Sequence, residues 1–263
     1  ATVKSGYDGE PRTTRIFGRR TQAYVKRAAW RHLRLIAKHR PSLYAHAAAE
    51  VLVHYTHDDE DAPSGRYGTY ARAHLLHRIL WGSSARHELT RDLRFRLRSS
   101  KLASAPPGAR EEAFPALWDA EPRAYVRLLA AARLPVVHEL ALAAVRRGHA
   151  SVVEGASHAE VAAMLAAPYP PTVELALAEL RRRFDAARPD WDLVCTLVGD
   201  ARPVVRTLGL EWLAETAPAW TRDPARIVSL LSLADETARA AVAHHVLAAL
   251  PEAPAAVRAR LAE

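Results

Sequence analysis

Residues 200–213 read Asp-Ala-Arg-Pro-Val-Val-Arg-Thr-Leu-Gly-Leu-Glu-Trp-Leu. Pro203 has no backbone N–H and a fixed φ, so it suits the first turn of a helix, where that donor has no intrahelical partner. Leu210 and Leu213, with Trp212 beside them, supply the expected packing stripe. Gly209 lets a neighbouring helix approach closely, at some cost in helix propensity. The same frame recurs along the chain. Aligning Pro135, Pro171 and Pro203 places Val137, Val173 and Val205 in register, and Ala141, Leu177 and Gly209 four residues on. Eight residues after the valines, Val145 and Leu213 match, whereas Arg181 does not. A fourth unit continues with Ala238, Val242 and Val246, giving spacings of 36, 32 and 33 residues. A period of that size holds two short helices and two turns.

Asp200, Pro203, Val205, Arg206, Leu208, Gly209 and Leu213 together resemble the start of a HEAT repeat: an Asp, a Pro, a Val-Arg pair, then small and large apolar residues at helical spacing. The second helix of each pair is also legible. Asp190 precedes the apolar run Trp191–Val198, and Asp223-Pro224 supplies an N-cap and first-turn proline for a helix over Ala225–Leu233. Thus 170–187 pairs with 190–198, 202–217 with 223–233, and 236–249 with a segment after Pro251. Tyr24–Leu33 has the apolar spacing of Val204–Leu213 and is followed by Pro41 and a helix over Ser42–Tyr55, which reads as a divergent repeat. The resemblance covers 133–250, extends more weakly to 21–56 and is absent from 57–132. It implies an all-α fold, an α-solenoid of six or seven HEAT-like helical pairs with an irregular insertion in the first half. The expected organisation is a basic helical pair at 1–56, an insertion at 57–110 and a repeat array at 111–263. Leu140, Leu177, Leu208, Leu213 and Val246 are the expected core.

Within the insertion, 57–68 is a polar loop, a helix is expected at about 69–81, and Gly82-Ser83-Ser84 ends it. Leu93, Phe95 and Leu97 alternate with arginines, which is the period of a strand. Ser99–Gly108 is a further loop, and helices are expected to resume at Glu111.

The chain has 263 residues, enough to bury a sizeable core. Its cations are 33 Arg and 4 Lys, which with the abundant alanine points to a GC-rich bacterial genome. The sole cysteine, Cys195, rules out an internal disulfide framework and reads as a small apolar residue rather than a nucleophile. Every apolar run is interrupted by Arg, Glu or His before it reaches membrane-spanning length. No signal peptide is visible, so a cytoplasmic protein without membrane attachment is expected. The chain starts and stops abruptly, the latter within what reads as helix, which suggests a piece of a longer polypeptide.

Charge is polarised. Residues 1–40 carry 11 Lys and Arg against 2 Asp and Glu, a net +9, and residues 86–101 carry 6 against 2, a net +4. On the helix expected at 21–39, several of Lys26, Arg27, Arg31, Arg34 and Lys38 share a face, with Tyr24 and Trp30 interleaved. Such a face neutralises phosphates, and arginine also stacks on bases. Arg19, Arg20, Lys26, Arg27, Arg31, Arg34 and Lys38 are therefore the candidate nucleic-acid or partner-binding residues. A solvated face, or a contact with an acidic domain, is the plainer explanation of the same charges.

His54 and His57, three residues apart, precede Asp58, Asp59, Glu60 and Asp61, and His74 and His77 repeat the spacing. The His57-Asp58 dipeptide is similar to the metal-binding pair of HD-type phosphohydrolases, but the separated ligands of that family are not in evidence, so no metal is expected. Trp118-Asp119 and Trp191-Asp192 bring in one enzyme class, the HEAT-like alkylpurine DNA glycosylases. Their site pairs an aromatic cradle with a carboxylate. No Gly-rich phosphate loop, nucleophile elbow or zincin helix is present. The expected function is thus a non-catalytic scaffold or adaptor, binding a protein or another domain of the same polypeptide, without cofactor. Nucleic-acid binding through the N-terminal arginines is the alternative, and a glycosylase follows it.

Overall fold

The computed structural model describes residues 2–4, 13–15, 18–106, 108–233, 235–249, 251 and 254–255. The fold is mostly helical. It divides into two compact units, residues 1–176 and 177–263. Among the described residues, no helix is long and apolar enough to cross a membrane.

In the first unit, α1 spans Arg19–His39 and α2 spans Pro41–Val53. Helix α1 buries only Leu33. Helix α2 buries Tyr44, Ala45, Ala48, Ala49, Leu52 and Val53, and its alanines leave room for partners on several sides. It packs against α1, α3 (His74–Leu80), α4 (Pro115–Ala120) and α5 (Arg123–Ala131). Helix α5 in turn contacts α6 (Pro135–Ala144), α7 (Ala150–Glu154) and α8 (His158–Leu165). A π-helical turn, Val145–His149, separates α6 from α7, and Gly148 takes the φ of 144° that it requires. Strand pairing is local. Strands β1 (Thr2–Lys4) and β2 (Thr13–Arg15) are antiparallel, as are β3 (His87–Leu89) and β4 (Phe95–Leu97), with Leu89 opposite Phe95.

Helix α9 spans Pro170–Arg183. The second unit continues with α10 (Trp191–Val198), α11 (Pro203–Glu215), α12 (Ala217–Trp220), α13 (Pro224–Leu231) and α14 (Glu236–Ala249). Asp190 caps α10 by accepting from the Leu193 N–H, and Asp223 caps α13 by accepting from Ala225. Proline stands in the first turn of α11 and α13, as their sequences require. Helix α10 packs on α11, and α14 contacts both α11 and α13.

Several expectations need correcting. The helix expected at about 69–81 begins only at His74, because Ala71 and Arg72 are held outside it: Phe95 N–H donates to the Ala71 carbonyl and Asp61 takes the Arg72 N–H. Helices resume at Pro115, not Glu111, since Glu111 is engaged with Arg86. Leu177, Leu208, Leu213 and Val246 are buried, but Leu140 is half-buried. His138 holds the interior place in α6, its ring nitrogens meeting Thr172 Oγ1 and the Ala132 carbonyl at 3.0 Å each. On α11, Trp212 rather than Leu210 is in the stripe, stacked on Phe184 with ring centroids 4.1 Å apart.

At Gly209 the backbone of α11 lies close against that of α10. A Cβ there would lie 2.5 Å from the Val198 backbone nitrogen and 2.8 Å from the Leu197 carbonyl carbon. Replacing a helical glycine by alanine ordinarily stabilises by ~1 kcal/mol. Here the sign is reversed, because backbone rather than a flexible side chain stands in the way. Gly209→Ala is expected to destabilise the second unit by about 1–3 kcal/mol in chemical denaturation. A neutral or stabilised variant would contradict this packing.

Candidate functional site

Basic residues from three separate segments meet in the first unit. Helix α1 contributes Arg19, Arg20, Lys26, Arg27, Arg31 and Arg34; the stretch leading into and along α3 contributes Arg72 and Arg78; and the β3–β4 turn contributes Arg91 and Arg94. They line two adjoining cavities of about 590 and 380 Å³ that share Arg27 and Leu93. Lys38 and Tyr24 lie outside these walls, Tyr24 being 66% exposed.

Local chemistry explains the assembly. Lys26 Nζ donates to the Arg72 carbonyl at 3.0 Å and so ties α1 to the segment before α3. Arg72 is positioned by Asp61, which accepts from its backbone N–H at 2.9 Å and its guanidinium at 3.0 Å. Arg78 lies over both the Trp30 ring, at 5.8 Å, and the Phe95 ring, at 5.3 Å, cation–π contacts that hold a cation without neutralising it. Arg94 sits 4.1 Å over Tyr67 in the same manner. The β3–β4 turn closes when Leu93 N–H donates to the Thr90 carbonyl and Thr90 N–H to the Arg94 carbonyl.

The charge in this cleft is largely uncompensated. Among the described residues, Arg72 pairs with Asp61, but no carboxylate forms an ion pair with Arg19, Arg20, Lys26, Arg27, Arg31, Arg34, Arg78, Arg91 or Arg94. Burial, and then the neighbouring Arg34, push the Arg78 guanidinium below the usual arginine range. His74, at the cavity wall, is held neutral: burial first, then Arg78, Lys26 and Arg27, bring it down to about 4. Asp92 also lines the larger cavity, and Asp61 holds Arg72, but the cations of the cleft far outnumber these carboxylates, which makes an anion the complementary ligand.

Other candidate residues are placed differently. His57 bonds Glu60 through Nδ1 at 3.0 Å, in a short turn capped by Thr56. His74 and His77 are interior, His77 lying flat on Phe95 with centroids 3.9 Å apart. The described residues contain no group of three or more His, Cys, Asp or Glu arranged to hold a metal ion. Trp118 is fully buried between Tyr44 and Tyr125, its Nε1 donating to the Ala113 carbonyl, so its ring is closed to a ligand. Asp119 is engaged by Arg110 and His149, and Arg226 covers the Trp191 ring at 4.6 Å. The half-buried Cys195 thiol is pushed up by burial and by Asp192, opposite to what a nucleophile needs.

The sequence pointed to α1 and to the charge of 86–101, but reading it missed Arg72 and Arg78 and did not bring the two basic segments together. The alternation of Leu93, Phe95 and Leu97 was the available signal, since a hairpin must lie against something apolar. No protein-family model, curated protein or solved structure matches the chain.

Proposed function

We propose that this chain is a non-catalytic, HEAT-like helical-repeat scaffold, and that its arginine cleft holds the phosphate backbone of a nucleic acid in the cytoplasm. The observation that carries the ligand is the convergence of uncompensated arginines from three segments on one cleft. A solvated face of a single helix would not draw in the β3–β4 turn and α3. The repeat reading is supported by α11 and α14 in contact, although α10 packs on α11 and α13 on α14 rather than α10 with α9 and α13 with α11 as the sequence pairing had it. A protein partner is the second reading, favoured by exposed apolar residues on the second unit, Val204, Val228 and Leu247 among them.

The test is fluorescence anisotropy with labelled oligonucleotides at low and near-physiological salt. Joint replacement Arg27→Glu, Arg31→Glu and Arg34→Glu should weaken binding at least tenfold. It should also flatten the log–log salt dependence by about 3, one for each phosphate that an arginine no longer neutralises. Circular dichroism should be unchanged, since all three side chains are exposed. Binding seen only at low salt, or indifferent to the triple replacement, would defeat the nucleic-acid reading.

A further inference from the structure

We propose that the 380 Å³ cavity between α1, α3 and the β3–β4 turn receives one unstacked base of a single-stranded nucleic acid, whose phosphates lie on the arginines at its rim. This rests on the reading of the cleft given above and adds the class of strand it takes. The recess presents mostly apolar surface, from Trp30, Leu89 and Leu93, with His74 and the Arg78 that lies over Trp30 also in its wall, while Arg27, Arg31 and Arg34 come from the exposed side of α1. A purely phosphate-binding surface has no use for an apolar recess. A recess of this size beside guanidinium groups matches a flat apolar base attached to a phosphate. In a duplex the bases are paired and stacked, and none is free to enter; in a single strand a base turns out at little cost.

Leu93 gives the second observation. Its φ is 58°, in the left-handed region, where a branched side chain is strained and where a tight hairpin ordinarily places Gly or Asn. The turn thus carries local strain at the residue whose side chain walls both cavities. A merely structural turn would be better served by glycine. Leu93→Gly therefore separates the two roles: it should leave the hairpin as stable or more so, and remove the wall against which a base packs.

The experiment compares three labelled probes of equal length at near-physiological salt: oligothymidine, an abasic oligomer with the same phosphates, and a duplex. Oligothymidine should bind about tenfold tighter than the abasic oligomer, the effect of a single stacked base, and tighter than the duplex. Leu93→Gly, with an unchanged or raised Tm, should bring oligothymidine down to the abasic affinity and leave the abasic oligomer where it was. Equal affinity for thymidine and abasic strands in the unmodified protein overturns the base pocket while leaving the phosphate cleft standing. Preference for the duplex does the same, as does a Leu93→Gly loss shared by both single strands. Absence of binding to every probe overturns the cleft and the pocket together.

Discussion

Acidification from pH 6.5 to pH 4 should lower the stability of the first unit by several kcal/mol. His74 and His77 are only 3% and 5% exposed. Burial, with surrounding cations, brings His74 down to about 4, and burial, with His87 beside it, brings His77 down to about 2. Both folded-state values lie below the ordinary 6.5, so the fold favours the neutral rings. Their contribution is complete above pH 6.5 and is lost as the pH falls, at ~1.4 kcal/mol per pH unit for each ring still held neutral. Urea denaturation followed by tryptophan fluorescence across this range measures it. His77→Phe keeps a flat ring on Phe95 and removes one proton site, so it should make the slope shallower without abolishing it, since burial also lowers His87 and His138. Stability constant from pH 7 to pH 4.5 would show that these histidines are not held neutral.

Glu111→Ala should cost about 3–5 kcal/mol, because it leaves a cation stranded in the interior. Arg86 is 9% exposed. Its Nε donates to Glu111 Oε1 at 2.7 Å, its Nη2 reaches Glu111 Oε2, and its Nη1 donates to the carbonyls of Leu102 and Ala103 at 2.9 and 2.6 Å. Hydrogen bonding to Arg86 is the main cause that holds the Glu111 carboxyl below its usual range, and the same bond raises the arginine. With Glu111 gone, the carbonyls remain but cannot balance the charge. Replacing both residues by apolar ones of similar volume should recover much of the loss, since the penalty belongs to the unpaired ion rather than to the missing pair. A shift in urea midpoint worth less than about 1 kcal/mol for Glu111→Ala would mean that water reaches Arg86.

Helix starts in the second unit were the most legible part of the chain. Asp190, Pro203, Asp223 and Pro224 act through the backbone beside them, so their meaning survives without knowledge of the tertiary fold. The close approach at Gly209 was readable for a related reason: a glycine inside a strong helical pattern needs a steric cause. The helix phase was less secure. His138 occupies an interior place because Thr172 and the Ala132 carbonyl satisfy its ring, and neither partner is visible from α6. Likewise His74 and His77 resemble a metal-ligand pair by spacing, yet they pack with Phe95, twenty-one and eighteen residues away respectively. The arginine cleft was half legible. Charge blocks are local, but the placement of Arg78 depends on Trp30 and Phe95, which belong to different segments.

The gathering of cations on one cleft of the first unit also bears on how quickly a ligand is found. A polyanion approaching by diffusion meets a field concentrated at the groove between α1, α3 and the β3–β4 turn. Such a field lengthens encounters and turns an incoming strand toward the groove before any specific contact forms. Focused fields of this kind raise association rates by roughly tenfold to a thousandfold at low ionic strength. Added salt then slows capture through screening of the approach. Release would be governed separately, by the contacts that the proposed site makes through Trp30 and Leu93.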